Sequence, residues 1–381
     1  MIETKNQKIL LLGGTGAMGR YLAELLHKDG KNVYVTSRSY HNSVERLHYI
    51  EGNAHDDVFL NKIFEEKGSF DCIVDFMVYS TVELNHRCNL LLSNTKQYIF
   101  ISTARVYADV QGRISENSPR LLDVTKDKNL LNSGDYCITK AEQENILINS
   151  KKRNWTIIRP YITYSNQRFE LGVYPKEEWL YRAINGKKIV FSNDIASHIT
   201  TLTYGLDVAF AISKLIGNEK ALGEIYNVTT DRWIKWENVF EIYLSALEEH
   251  GIKVNVVRTN KVYKLFSPLD QYQVKNDRYY DRIFNTGKIG TIVNVDDFKT
   301  PETQLKDCMS EFLNHPKFDR INWMLQGFFD GITKDSAPAD KEFESSKNKI
   351  KYYIGRYTPF FMLKLKLEKL IFPLYVKINK R

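Results

Sequence analysis

Short apolar runs alternate with amphipathic stretches along the first half of the chain. Lys8–Leu12 is a compact apolar run closed by glycines, and Arg20–Lys28 follows with apolar residues at helical spacing (Tyr21, Leu22, Leu25, Leu26). Asn32–Thr36, His48–Glu51, Asp71–Met77, Tyr98–Ser102 and Thr156–Arg159 predict further strands. Val58–Glu66, Val82–Leu92 and Lys140–Asn149 predict helices between them. Repeated β-then-α units whose strands are continuously apolar imply a parallel sheet covered by helices on both faces. After Pro160 the pattern loosens. Helices at Glu177–Ala183 and Leu206–Leu215 surround short strands at Lys188–Phe191 and Ile225–Val228, and 235–330 reads as mixed material of a smaller domain. Thr333–Lys351 is polar around Ser336-Ala337-Pro338-Ala339-Asp340 and reads as a linker.

Composition narrows the function classes. The 381 residues are 43% hydrophobic and 26% charged, and no run of eighteen apolar residues occurs, so no transmembrane helix is expected. The start lacks an apolar leader. Four scattered cysteines (Cys72, Cys88, Cys137, Cys308) form no C-x-x-C pair, and the eight histidines show no ligand grouping. The expectation is a protein of the reducing cytoplasm without a metal site. The formal charge is +8, but 352–381 alone carries seven bases against one acid, Glu368. The remaining body is close to neutral, so nucleic acid is not the expected partner.

Two constellations carry chemistry. The first is Leu10-Leu11-Leu12-Gly13-Gly14-Thr15-Gly16-Ala17-Met18-Gly19, a strand, a glycine turn and a helix start. Glycines let the backbone approach a pyrophosphate, and the helix start offers unpaired N–H groups to it. Gly13, Thr15, Gly16, Ala17, Met18 and Gly19 are therefore the expected phosphate cradle. The second strand ends in Thr36-Ser37-Arg38 with no acid for a ribose 2′-hydroxyl. Arg38 suits a 2′-phosphate, which tilts the cofactor from NAD toward NADP, although a solvated surface arginine fits the same sequence. Asn53 and Ala54 are placed to border the adenine, with Met77 and Val78 on the adenosine side.

The second constellation is Tyr136-Cys137-Ile138-Thr139-Lys140, whose spacing puts phenol and ammonium on one helical face. A nearby ammonium is expected to lower the phenol pKa toward the working range for proton exchange with a substrate hydroxyl. Upstream, Ser102-Thr103 ends a strand, with Thr103 placed to hydrogen-bond the reacting oxygen. Downstream, Arg159-Pro160 ends another, where Pro160 can close over a nicotinamide. Ligands of open α/β sheets gather at such strand ends.

Gly13-Gly14-Thr15-Gly16-Ala17-Met18-Gly19, Ser102-Thr103-x-x-Val106-Tyr107, Tyr136-x-x-x-Lys140 and Arg159-Pro160, in that order, resemble the extended short-chain dehydrogenase/reductase superfamily, nearest its NAD-dependent epimerase/dehydratase type. The resemblance covers roughly 8–300. It implies a Rossmann-type doubly wound sheet over 1–165, with 198–230 returning to it, and a smaller C-terminal α/β substrate domain over 166–332. It further implies NAD or NADP, a nucleotide-sugar substrate, Tyr136 as base, Lys140 as its partner and nicotinamide-ribose ligand, and Thr103 as the orienting hydroxyl. Sugar dehydratases of this type usually carry Asp-Glu after the hydroxyl residue. Ala104-Arg105 stands there instead, and a guanidinium is no general acid near neutral pH, so epimerisation or keto-sugar reduction is expected over dehydration.

Asn94-Thr95-Lys96-Gln97-Tyr98-Ile99-Phe100, Pro175-Lys176-Glu177-Glu178-Trp179 and Trp233-Ile234-Lys235-Trp236 resemble the atypical branch that contains chloroplast stem-loop RNA-binding proteins. That resemblance implies an RNA-binding alternative. Finally, 352–381 mixes lysines with Pro359-Phe360-Phe361-Met362-Leu363 and Leu370-Ile371-Phe372-Pro373. Peripheral membrane contact, beside enzymes that build surface glycans, is one expectation for this tail. Docking on its own domain, or on the second copy in a homodimer, is the other.

Overall fold

The computed structural model describes residues 6–260, 270–357, 363–368 and 371. Its frame is a seven-stranded sheet. The strands are β1 (Lys8–Leu12), β2 (Asn32–Ser37), β3 (Leu47–Glu51), β4 (Phe70–Asp75), β5 (Thr95–Ile101), β6 (Trp155–Pro160) and β7 (Glu224–Val228). Their spatial order is β7-β6-β5-β4-β1-β2-β3, all parallel. The order reverses between β1 and β4, the switch point at which a doubly wound sheet opens a crevice. The longer helices are α1 (Gly19–Lys28), α2 (Asp57–Lys67), α3 (Thr81–Ser93), α4 (Tyr136–Ile148), α5 (Lys176–Ile184), α6 (Gly205–Leu215), α7 (Trp236–Glu249), α8 (Pro301–Asn314), α9 (Trp323–Thr333) and α10 (Ser346–Arg356).

The continuously apolar strands are explained by burial on both faces. Ile9 and Leu11 pack with Leu22 and Leu26 of α1 and Val208 and Ile212 of α6. Leu10 and Leu12 point the other way, onto Leu60 and Ile63 of α2 and Leu84 and Leu91 of α3. Expected strands and helices agree with the structure to within a few residues, with two informative shifts. Strand β4 stops at Asp75, not Met77, because the Asp75 carboxylate accepts the Met77 N–H at 2.9 Å and turns the chain out of the sheet. Helix α4 starts at Tyr136, not Lys140, because Asp135 caps it by accepting the Cys137 N–H at 2.9 Å.

A second lobe packs around Trp179, Phe240, Tyr243, Met309, Phe312 and Phe328. It includes the parallel pair Ile189–Ser192 with Val256–Thr259. Residues 333–351, expected as a linker, are instead built into this lobe. Asp335 accepts from Lys188 N at 3.0 Å and from Arg182 at 3.0 Å, and 346–351 opens α10. The first residues of the expected tail, 352–356, complete that helix, whereas 358–362, 369–370 and 372–381 lie outside the described residues. Leu365 is buried against the lobe core.

Helices α9 and α10 meet backbone to backbone. A Cβ on Gly355 would lie 1.8 Å from the Met324 carbonyl oxygen, and one on Gly327 1.9 Å from that of Tyr352. The close approach seats the Tyr352 hydroxyl on buried Asp330 at 2.7 Å, which also holds Arg182 of α5 at 2.7 Å. Gly355→Ala is therefore expected to cost at least about 1–3 kcal/mol through overpacking. Gly290→Ala, with nothing within 4 Å of its Cβ, should be near neutral. Thermal unfolding of both variants checks this; equal midpoints would refute the tight crossing.

Candidate active site

The carboxyl ends of β1, β4, β5 and β6 surround one cavity of about 330 Å³. Gly13, Gly16, Ala17, Met18, Gly19, Met77, Val78, Thr103, Tyr136, Lys140 and Pro160 all line it. The glycine turn, the start of α1, the chain just past β4 and β5, α4 and the end of β6 thus deliver their expected groups to one place. Arg38, Asn53, Ala54 and Thr15 do not line this cavity. Arg38 and Asn53 stand exposed past the ends of β2 and β3, while Ala54 is buried with its carbonyl accepting from Arg87 at 3.0 Å. Thr15 is exposed at the tip of the glycine turn.

The glycine turn fits a dinucleotide phosphate group. Gly13 has φ +66°, a left-handed conformation that favours glycine, and a Cβ there would lie 2.7 Å from Met77 Sδ. Gly19 approaches the Gly14 carbonyl so closely that a Cβ would lie 2.6 Å from its oxygen, whereas the space beside Gly16 is open. Helix α1 has no side-chain cap and no acid in its first turn, while α2, α3 and α4 are capped by Asp56, Ser80 and Asp135. Apart from Arg20, whose N–H donates to the Gly16 carbonyl at 3.1 Å, the first-turn N–H groups have no capping side chain and can meet an external anion.

At the other end of the cavity, Tyr136 is 38% exposed. Lys140 is buried; its Nζ donates to the Ile101 carbonyl at 2.8 Å and lies 6.0 Å from the Tyr136 ring centre. Burial lowers the Lys140 pKa to about 8, against the pull of Asp75 and Glu144. The Tyr136 pKa departs from the sequence expectation: burial raises it, and the cations that oppose the rise are Arg105 and Arg168, not Lys140. The reason is geometric, since the ammonium is directed to the end of β5 rather than toward the phenol. Thr103 Oγ1 accepts the Arg105 N–H at 3.2 Å, which leaves its hydroxyl proton available to the cavity. The neighbouring Ser102 hydroxyl is spent on Glu144 at 2.6 Å.

Several cavity residues were not singled out from sequence: Arg168, Glu170, Gln273 and Arg278. Glu170 accepts from Arg168 at 2.6 Å and from Arg278 at 3.1 Å. Burial alone would raise its pKa, but Arg168, Arg278 and Arg105 together bring it below the ordinary carboxyl value. Arg168 lies in a loop, Glu170 in a two-residue strand, and Gln273 and Arg278 in short helical turns, all too short to carry a periodic signal in the sequence. A second cavity of about 730 Å³ adjoins the first and shares Val78, Arg105, Tyr136, Lys140 and Gln273 with it. This leaves room for a substrate reaching Tyr136 from the side opposite the glycine turn.

Comparison with known proteins agrees with this geometry. The chain is 26% identical over 251 residues to chloroplast stem-loop binding protein of 41 kDa b from Arabidopsis thaliana, covering 62% of each chain. It is 25% identical over 261 residues to dTDP-D-glucose 4,6-dehydratase from Dictyostelium discoideum, covering 59% of this chain and 58% of that one. The chain thus spans about three fifths of the length of these curated relatives. Among solved structures, dTDP-glucose 4,6-dehydratase from Bacillus anthracis, in complex with NAD, superposes with a TM-score of 0.60 at 17% identity, over 81% of this chain and 97% of that one. UDP-glucuronic acid 4-epimerase from Bacillus cereus, in complex with UDP-glucuronic acid and NAD, gives 0.60 at 14% identity, over 81% and 100%. At these identities the likeness establishes the fold. The family match itself runs over residues 9–229, more than half of the sequence, and with it the chain belongs to the NAD-dependent epimerase/dehydratase family.

Proposed function

We propose that the chain is an NAD(P)-dependent enzyme acting on a nucleotide sugar, by epimerisation or by reduction of a keto-sugar. The observation that carries this reading is the single cavity in which the glycine turn, Thr103, Tyr136, Lys140 and Pro160 converge. Gly13, Gly16 and the uncapped start of α1 would hold the dinucleotide phosphates, and Lys140 and Pro160 would flank its redox end. A bound nicotinamide ring supplies hydride exchange with a sugar carbon. Two of the similar structures contain NAD, and NAD is the simpler reading of the cofactor. Exposed Arg38 is the group that would meet a 2′-phosphate if NADP is used instead.

The chain's own groups handle the proton. With its pKa raised, Tyr136 keeps its proton at neutral pH and is set to donate to a carbonyl oxygen in the reducing direction. In the oxidising direction the phenolate must accept the hydroxyl proton, and Arg105 and Arg168 reduce the cost of that charge. Thr103 donates to the same reacting oxygen and fixes its position. Dehydration finds less support. Ala104 and Arg105 supply no acid, and Glu170, held below the ordinary carboxyl value, is ionised at neutral pH and has no proton to give. A second reading, RNA binding, is favoured by the similarity to the stem-loop binding protein.

Mass spectrometry of cofactor released from the purified protein, followed by NMR of a nucleotide-sugar panel, tests the proposal. Retained NAD with interconverted sugars means an epimerase; exchangeable NADPH consumed with a keto-sugar means a reductase. Tyr136→Phe should lower turnover about 10²–10⁴-fold while leaving cofactor affinity unchanged. Salt-dependent RNA affinity indifferent to that substitution, with no cofactor bound, would favour the second reading.

Lys140 gives a pH prediction. It should titrate near pH 8 in the ligand-free protein, against an ordinary value of 10.5. Between about pH 8 and 10.5 the unfolded chain binds more protons than the folded one, so this residue's contribution to stability rises with pH across that window. ¹³C NMR of lysine-labelled protein, with Lys140→Met for assignment, measures the midpoint; a value near 10.5 would refute the buried-ammonium geometry.

A further inference from the structure

Arg105, Arg168, Glu170 and Arg278 line the cavity, and Asp277 and Arg282 lie behind it. Arg105, Arg168, Arg278 and Arg282 converge on two carboxylates, Glu170 and Asp277. Three of the four guanidiniums are satisfied. Arg168 pairs with Glu170 at 2.6 Å, and Arg278 donates to Glu170 at 3.1 Å and to the Gly172 carbonyl at 2.8 Å. Arg282 donates to Asp277 at 3.1 Å and to the carbonyls of Tyr107, Ala108 and Asn276 at 2.9–3.2 Å. Arg105 differs. Among the described residues its guanidinium donates no hydrogen bond: its Nε is buried without a partner and stands 4.0 Å from an Asp277 oxygen already held by Arg278. At 16% exposure, with only the Tyr136 ring and a distant Asp277 oxygen beside it, this guanidinium is the least satisfied of the four and the one open to a ligand's counter-charge.

Its position says where that charge must lie. Arg105 is two residues past Thr103, its Cζ is 5.6 Å from the Tyr136 ring centre, and it lines both adjoining cavities. An anion in its fork therefore lies within a few bonds of the carbon whose oxygen meets Tyr136 and Thr103. For reaction at C4 of a hexose, the position this proposal takes, a carboxylate at C6 is two bonds away, whereas the phosphate on C1 is across the ring. We propose that Arg105 binds a carboxylate carried by the sugar itself, so that the preferred substrates are nucleotide-activated uronic acids rather than neutral nucleotide hexoses. A guanidinium presents a planar, two-pronged donor that matches a carboxylate and has no comparable use for a hydroxymethyl group.

This inference rests on the nucleotide-sugar reading, and the two fail differently. Calorimetry on the full chain saturated with NAD compares UDP-glucose, UDP-glucuronic acid and UDP alone, with the thymidine counterparts as a second series. The uronic acid is expected to bind about 10- to 100-fold more tightly than the neutral hexose. Arg105→Met should abolish that preference while leaving the affinity for the bare nucleoside diphosphate unchanged, and Arg105→Lys should restore part of it. The ligand-free thermal midpoint of Arg105→Met should match or exceed that of the wild type, because an unpaired charge is removed. Equal or tighter binding of the neutral hexose overturns the proposal. So does an equal loss of UDP affinity in Arg105→Met, which would assign the diphosphate to Arg105, or a fall in the midpoint, which would make its role structural. If NAD binds but no nucleotide or nucleotide sugar does, the underlying reading falls together with it.

Discussion

The ion pair between Glu144 of α4 and Arg159 of β6 holds the reactive helix to the sheet. Both residues are buried, and the pair is two-pronged, at 2.8 Å from Nε and 2.6 Å from the second guanidinium nitrogen. Glu144 also receives the Ser102 hydroxyl at 2.6 Å and Arg120 at 3.1 Å, and Arg159 reaches the Tyr107 hydroxyl at 2.6 Å. One carboxylate therefore joins the ends of β5 and β6 to α4. Glu144 lies four residues beyond Lys140 and eight beyond Tyr136, on the same helical face. Fixing it against the strand ends fixes where the phenol and the ammonium emerge. Breaking such a pair strands a charge at a cost of about 3–5 kcal/mol, and a helix with that much registry energy does not rotate its reactive face away.

Charge placement then divides the cavity into two halves. The glycine-turn half has uncapped N–H groups and no acid, and beneath it lies Asp75, buried and held by Tyr79 and Tyr98 hydroxyls at 3.0 and 2.7 Å. Burial raises the Asp75 pKa against the hydrogen bonds from Met77, Tyr98 and Tyr79 and the charge of Lys140. Lys140 is thus embedded in a structural network as well as facing the cavity, which accounts for its distance from the phenol. The second half is dominated by arginine. It contains Tyr136, whose raised pKa is opposed by Arg105 from the turn after β5 and Arg168 from the loop after β6 rather than by the lysine of its own helix. The Tyr-x-x-x-Lys spacing brings two groups to one face, but which charge tunes which proton is decided by loops.

Legibility in the sequence follows the same division. The sheet could be read because its strands are buried on both faces and so appear as unbroken apolar runs. The glycine turn, Thr103, Tyr136, Lys140 and Pro160 could be read because each sits at a strand end or helix start with local signals. Glu170 and Arg278 could not: they are 108 residues apart, in a two-residue strand and a short helical turn, and only the tertiary fold pairs them. Arg105 was visible as a departure at an acid position, but its unpaired state depends on how three other arginines are satisfied. The misread linker has a related cause. In α10 only Tyr352 and Gly355 are buried, so its composition is that of a solvated segment, although its backbone is pressed against α9. Polarity reports the exposed face of such a helix and is silent about the contact.

The relatives pose a sharper question, since one is named for binding an RNA stem-loop and another for dehydrating a nucleotide sugar. A shared fold decides nothing between them. An RNA surface needs cations that remain open to successive phosphates. Here most of the cavity's arginines are matched to specific carboxylates and carbonyls at one end of the sheet: Arg278 is buried on Glu170 and Gly172, and Arg168, although half exposed, pairs with Glu170. The one that is not matched faces a confined space beside a proton-transfer group. This offers one unmatched guanidinium to an anion beside a reacting hydroxyl, whereas a polymer backbone would need several open cations in a row. Pairing of the arginines, more than total charge, therefore separates the two readings, and it supports the proposed chemistry on a small acidic sugar.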